Sequence, residues 1–117
     1  MRGDCDQNRL ARRLLGLPRC ELRGRSVPVA ATRRARLLGL AGLDREAAGE
    51  GLLIPRCASV HTFGMRFELD LFFLDAAGQV LSVRRRVPRR RVVWHRGAAA
   101  VLEISSAEGG EFAAPGT

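Results

Sequence analysis

The chain contains no lysine and no tyrosine, and all twenty of its basic residues are arginine. Alanine, glycine and leucine are plentiful beside them, which is the mark of coding bias in a GC-rich genome. Arginine abundance alone is therefore weak ground for nucleic-acid or phosphate binding. Also absent is any charge-free apolar run approaching the roughly 18 to 20 residues of a spanning helix, which excludes an integral helical membrane protein. Cysteine is scarce: Cys5, Cys20 and Cys57 stand far apart in no CxxC or CxxH arrangement, and an odd count argues against a disulfide framework. A reducing, cytoplasmic setting is the simpler expectation. The start lacks a secretory core, since Arg9, Arg12 and Arg13 precede only the short apolar patch Leu14 to Leu17. Arg19, just before Cys20, spoils what would otherwise hint at a lipid-attachment cysteine.

What is present is one domain's worth of chain. At 117 residues and 46% hydrophobic content, it can bury about two-thirds of its unfolded surface, enough for one core without metal or disulfide staples. The expected division is a flexible basic arm over 1–26, a single β-rich domain over 27–106 and a disordered tail over 107–117. Charge is unevenly placed. Residues 84–96, RRRVPRRRVVWHR, hold seven arginines and no acid, so nearly all of the net charge of +8 sits in that segment.

Ordered structure is expected to begin at Val27, where VPVAAT reads as a short strand with an edge proline. Thr32 can cap a helix over Arg33 to Ala41, with Leu37, Leu38 and Ala41 on one apolar face and Gly42 closing the end. Asp44 can cap a further turn, and Leu52 to Ile54 form a short strand. From Phe63 to Phe73 every odd position is apolar, while Arg66, Glu68 and Asp70 alternate with them, the period-2 mark of a strand with one solvated face. Phe72 and Leu74 break that alternation and predict burial on both faces at its far end. Asp75 to Gly78 is a tight turn into a partner strand through Val80, Leu81 and Val83. After the arginine-rich loop, Val92 to Trp94 and Ala98 to Ile104 give two more strands. The fold class is mostly β (α+β): a small antiparallel β-sandwich or barrel-like domain with one main flanking helix.

Taken together, ATRRARLLGLAGL, GEGLLIPRCASVHTFGMRFELDLFFLDAAGQVLSV and AAAVLEI resemble the prokaryotic family known as domain of unknown function 192 over about residues 27–106. The run SVHTFGMRF, followed by an acid, two apolar residues and LDxxG, is the most specific part. The resemblance implies a compact β-sandwich-like domain with a flanking helix and brings no assigned reaction. Two departures stand out. Glu68 occupies a position that is often proline or a small apolar residue, and the sequence stops at Thr117 where many relatives continue to a last strand, which implies an exposed sheet edge here.

CASVHTFGMRF, residues 57–67, gathers the chemically interesting side chains. On a straight strand, residues two apart project about 6 to 7 Å from one another and residues four apart about 13 Å. Cys57 therefore cannot reach His61, and no third group that would orient a nucleophile and its base is identifiable. The plain expectation is that Cys57 and His61 pack inward, the histidine bonding a backbone carbonyl. No catalytic set is assigned. Nor is a metal site: a trio of Cys57, His61 and Asp70 would need a sharp bend, and the ligand count falls short of structural zinc. No cofactor is indicated. A bulge at Gly64 would instead turn Ser59, His61 and Thr62 into a polar recess beside Phe63 and Met65. Cys57, Ser59, His61, Thr62, Gly64 and Met65 are therefore the candidate ligand-binding residues, for a small ligand or a partner's segment. Arg84, Arg85, Arg86, Arg89, Arg90 and Arg91, with Trp94 nearby, are the candidate contacts for nucleic acid or another polyanion, weighed against the simpler role of a solvated turn. The sequence favours a binding or accessory module over an enzyme, with an enzyme using His61 as base the third reading.

Overall fold

The computed structural model describes residues 14, 16–22, 24–44 and 48–107. Its strands are β1 (Arg19–Leu22), β2 (Arg25–Pro28), β3 (Leu52–Pro55), β4 (Ser59–His61), β5 (Leu69–Leu74), β6 (Val80–Val87), β7 (Val92–Trp94) and β8 (Ala100–Ser105), with helix α1 (Arg33–Leu38) between β2 and β3. A four-stranded antiparallel sheet in the order β3-β8-β5-β6 forms the centre, and β1-β2 and β4-β7 are two-stranded ribbons.

The central sheet is buried on both faces, which explains why β5 reads LDLFFL with every residue inaccessible. Cross-strand partners point the same way, so the register Leu71↔Glu103 and Phe73↔Val101 defines one face, and Asp70↔Ile104 and Phe72↔Leu102 the other. The first face packs with Leu40, Leu43, Ile54, Val60, Met65 and Val93, beneath α1 and the β4-β7 ribbon. The second packs with Leu22, Val27 and Leu53, beneath the β1-β2 hairpin. The result is a mostly β domain of three layers with one flanking helix, the class expected from the sequence.

Several elements differ from expectation, each for a local reason. Order begins upstream of Val27: the β1-β2 hairpin starts at Arg19, and Leu22 and Val27 cover the sheet's second face. Residues 1–13 of the expected arm and 108–117 of the expected tail lie outside the described residues. The period-2 run from Phe63 is not one strand. Only Leu69–Leu74 is extended; Thr62 to Glu68 turn and bend, and the β4 strand stops at His61. Gly64 makes this turn, with φ of 81°, the Gly42 N–H donating to its carbonyl at 2.9 Å, and Ala41 so close that an added Cβ would lie 3.3 Å from its methyl. Helix α1 is three residues shorter than expected and its Leu37 is 70% exposed, whereas Leu40 and Leu43 beyond the helix end supply the core. The first three arginines of the basic segment, Arg84, Arg85 and Arg86, lie within β6 rather than after it. The Asp75 turn forms as read, its Oδ1 accepting from the Ala77 and Gln79 N–H groups at 2.9 Å each.

Candidate functional site

The end of α1 and the middle of β8 shape each other. Thr32 caps the helix start by accepting the Ala35 N–H at 3.0 Å. The helix stops at Gly39, whose φ of 53° ends the helical path. A side chain there has no room: an added Cβ would lie 2.6 Å from Glu103 Oε1. The Leu40 N–H donates to that oxygen at 3.3 Å, the single hydrogen bond that the described residues make to this carboxyl. Glu103 is 1% exposed, and its cross-strand neighbours Leu52 and Leu71 are apolar. The ion pairs among the described residues are Arg19–Glu50 and Arg85–Asp70; neither includes it. Burial accordingly pushes the Glu103 carboxyl from its ordinary 4.5 up to about 8, against the smaller opposing pull of the Leu40 N–H.

Strand β4 faces this acid across a recess. Ser59 and His61 lie on one face of the β4-β7 ribbon, opposite Trp94 and Val92, while Val60 and Val93 turn into the core. His61 Nε2 lies 3.1 Å from the Leu37 carbonyl oxygen. A carbonyl only accepts, so Nε2 carries the hydrogen, and in the neutral ring Nδ1 is a bare acceptor. That Nδ1 is buried and has no partner among the described residues. The Phe63 ring stands 6.0 Å from the imidazole, centroid to centroid. Between β4, Ile54 of β3 and the end of α1 lies a cavity of about 200 Å³, lined on the helix side by Arg36, Leu37 and Gly39 and elsewhere by Ser59, His61 and Glu103. Arg36 is held at this border by donating to the Arg56 carbonyl at 2.8 Å. A larger cavity of about 510 Å³ lies on the other side of α1, but Thr32 and Arg34 are its sole polar lining residues among those described, and Thr32 is engaged as the cap.

The structure thus divides the residues singled out in the sequence. Ser59 and His61 line the recess. Cys57 does not: its Sγ donates to the Ser59 carbonyl at 2.9 Å and its body packs on the core. Met65 is core, and Gly64 serves the turn. Thr62 is wholly buried and staples the basic loop, donating to the Pro88 carbonyl at 2.7 Å and accepting the Arg91 N–H at 2.8 Å. The trio of Cys57, His61 and Asp70 does not assemble, and no group of three metal-ligating side chains does among the described residues. Sequence reasoning missed Arg36 and Glu103. The signal for Glu103 was available: a lone acid inside the continuous apolar run AAAVLEI, which reads as a strand buried on both faces.

Asp70, expected on a solvated face, is buried for a structural purpose. Arg85 and Arg86 together oppose it where the β5-β6 register shifts, a β-bulge with Arg86 at φ of 52°. Asp70 accepts from Arg85 Nη1 at 2.8 Å, the Arg86 N–H at 2.9 Å and Ser106 Oγ at 2.8 Å. Arg85 also lies over the Phe72 ring, 5.7 Å from its centroid. Arg84, Arg85, Arg86, Arg89, Arg90 and Arg91 are all exposed, as is Trp94 at 68%. No helix among the described residues is long and apolar enough to cross a membrane.

Residues 20–114 match the uncharacterised ACR family known as domain of unknown function 192. No curated protein matches the chain. Two crystal structures are similar. A protein of unknown function from Novosphingobium aromaticivorans is 21% identical with a TM-score of 0.59, over 74% of this chain and 67% of that one. A candidate transcription regulator from Sinorhizobium meliloti is 20% identical with a TM-score of 0.62, over 77% of this chain and 79% of that one. At these identities the likeness is one of fold.

Proposed function

The chain belongs to the domain of unknown function 192 family, and on that premise we propose that it is a non-enzymatic, cytoplasmic binding module that takes a small ligand or the end of a partner's segment in the recess beside His61, Ser59 and Glu103. One observation carries this reading: a cavity of about 200 Å³ is lined by the buried acid Glu103 and by His61, whose Nδ1 has no partner among the described residues, with Leu37, Ile54 and Val60 as apolar lining. Few polar groups converging in an apolar concavity is the usual composition of a ligand site. Among the described residues no hydrogen bond joins Ser59, His61 and Glu103 to one another, so no nucleophile is paired with a base here, which favours binding over catalysis. The free Cys20 and Cys57 suit a reducing compartment.

The test is a fragment screen by backbone amide NMR on the isotope-labelled chain. Hits are expected to shift the amides of Leu37, Gly39, Ser59 and His61, and to lose at least tenfold in affinity in His61→Ala or Ser59→Ala. Hits that map elsewhere, or that bind both variants unchanged, would refute the reading.

A second reading, polyanion or nucleic-acid binding, draws on the six exposed arginines from Arg84 to Arg91 around the β6-β7 connection and the exposed Trp94 beside them. Such binding would weaken steeply between low and moderate salt. Affinity for a single-stranded oligonucleotide that ignored salt, or survived neutralising Arg89, Arg90 and Arg91, would dispose of it.

A further inference from the structure

Two groups on the recess-lining residues are left short of hydrogen-bond partners, although Arg36 and Ser59 line it as well. Glu103 Oε1 has the Leu40 N–H, at the long end of hydrogen-bond distance, and the described residues give Oε2 no donor. His61 spends its one ring hydrogen on the Leu37 carbonyl, leaving Nδ1 as a second acceptor. A buried polar group left unpaired is costly, and a ligand that supplies the missing hydrogens recovers that cost. Several N–H groups on one centre answer two acceptors best, and a cation answers a carboxylate better than a neutral donor does. The Leu37, Ile54 and Val60 walls call for an apolar body behind that centre, and the volume limits it to a few heavy atoms. Arg36 at the border disfavours a second positive charge.

The geometry points to a specific ligand class, resting on the reading of the recess as a binding site: a small molecule with a single primary ammonium group and a short apolar body, its nitrogen donating to Glu103 and toward His61. In the empty site the carboxyl is held largely protonated by its burial. An ammonium ligand binds the carboxylate, so the Glu103 proton leaves to solvent as the ion pair forms and the ligand keeps its own. Among the described residues, the charged or titratable groups that line the recess with Glu103 are Arg36 from α1 and His61 from β4; β3 and β5 present Leu52 and Leu71.

The experiment titrates the full chain with butylammonium, butyramide and butyrate, followed by the amide shifts of Leu37, Gly39, Leu40 and His61. Butylammonium is expected to bind at least tenfold more tightly than either isostere. Its affinity should rise about tenfold from pH 6 to pH 7 as the carboxyl ionises more readily, and Glu103→Gln should abolish both the preference and the rise. Equal or tighter binding of butyramide or butyrate in the recess would overturn the ammonium class while leaving the recess a binding site. A pH rise that persists in Glu103→Gln would assign the effect to His61 and overturn the role of Glu103. No shift with any of the three probes, together with a fragment screen empty at these amides, would remove the binding reading and this inference with it.

Discussion

Asp70 and Glu103 are both buried acids on adjacent central strands, one register step apart and on opposite faces of the same sheet. Their surroundings could hardly differ more. Asp70 accepts three hydrogen bonds, one from an arginine, and holds a bulge in place. Glu103 accepts one from a backbone N–H and pairs with no cation among the described residues. Satisfaction of a buried charge is what separates an acid that builds the fold from one that the fold must tolerate.

Removing each acid should therefore have effects of opposite sign. Asp70→Ala leaves the Arg86 N–H and Ser106 hydroxyl unpaired and strands the Arg85 charge, so denaturant unfolding at pH 7 should show a loss of about 3 kcal/mol. A loss below about 1 kcal/mol would mean that Asp70 is not the keystone of the bulge. Glu103→Gln should stabilise the chain at pH 7 by about 3 kcal/mol. The folded state holds the Glu103 proton up to about pH 8 while the unfolded chain releases it near 4.5, so the folded state binds more protons in that window. Its stability is fully present below pH 4.5, falls by about 1.4 kcal/mol per pH unit as pH rises, and levels off above 8. The Gln variant should lack this decline and match the parent near pH 4.5; parallel stability curves for the two would break the comparison.

Thr62 sharpens it from the neutral side. Thr62→Val keeps the shape but unpairs the Pro88 carbonyl and the Arg91 N–H, at an expected cost of about 1.5 kcal/mol by the same unfolding measurement. A smaller effect is expected for Arg85→Ala. Its side chain is 43% exposed, so solvent screens the ion pair and can replace the lost donor, and the loss should stay below about 1 kcal/mol. If Arg85→Ala matched Asp70→Ala, the bulge would depend on the ion pair rather than on the hydrogen bonds.

The division between what the sequence disclosed and what it hid follows the range of the interactions involved. The Thr32 cap, the Asp75 turn and the doubly buried end of β5 are set by neighbours within a few residues, and all three were legible. The helix end was not, because Gly39 answers to a carboxyl 64 positions away, not to its own segment. The run from Phe63 to Phe67 imitated a strand because alternate residues of a turn can also face inward: Met65 is core while Phe63 is exposed. Within the recess, Ser59 and His61 could be found from their shared motif. Glu103 required seeing that a single acid in an apolar strand is an exception that needs a reason, and Arg36 carried no signal among so many arginines.

The bulged strand β6 is an outer strand of the central sheet, with no neighbour beyond it among the described residues. A strand from another molecule that tried to add itself there would meet two interruptions of register and the guanidinium groups of Arg84, Arg85 and Arg86. Irregular, like-charged borders discourage edge-to-edge growth of sheets into aggregates. The densest stretch of positive charge in the chain thus doubles as a fence around its most vulnerable hydrogen-bonding edge, maintained from inside by Asp70.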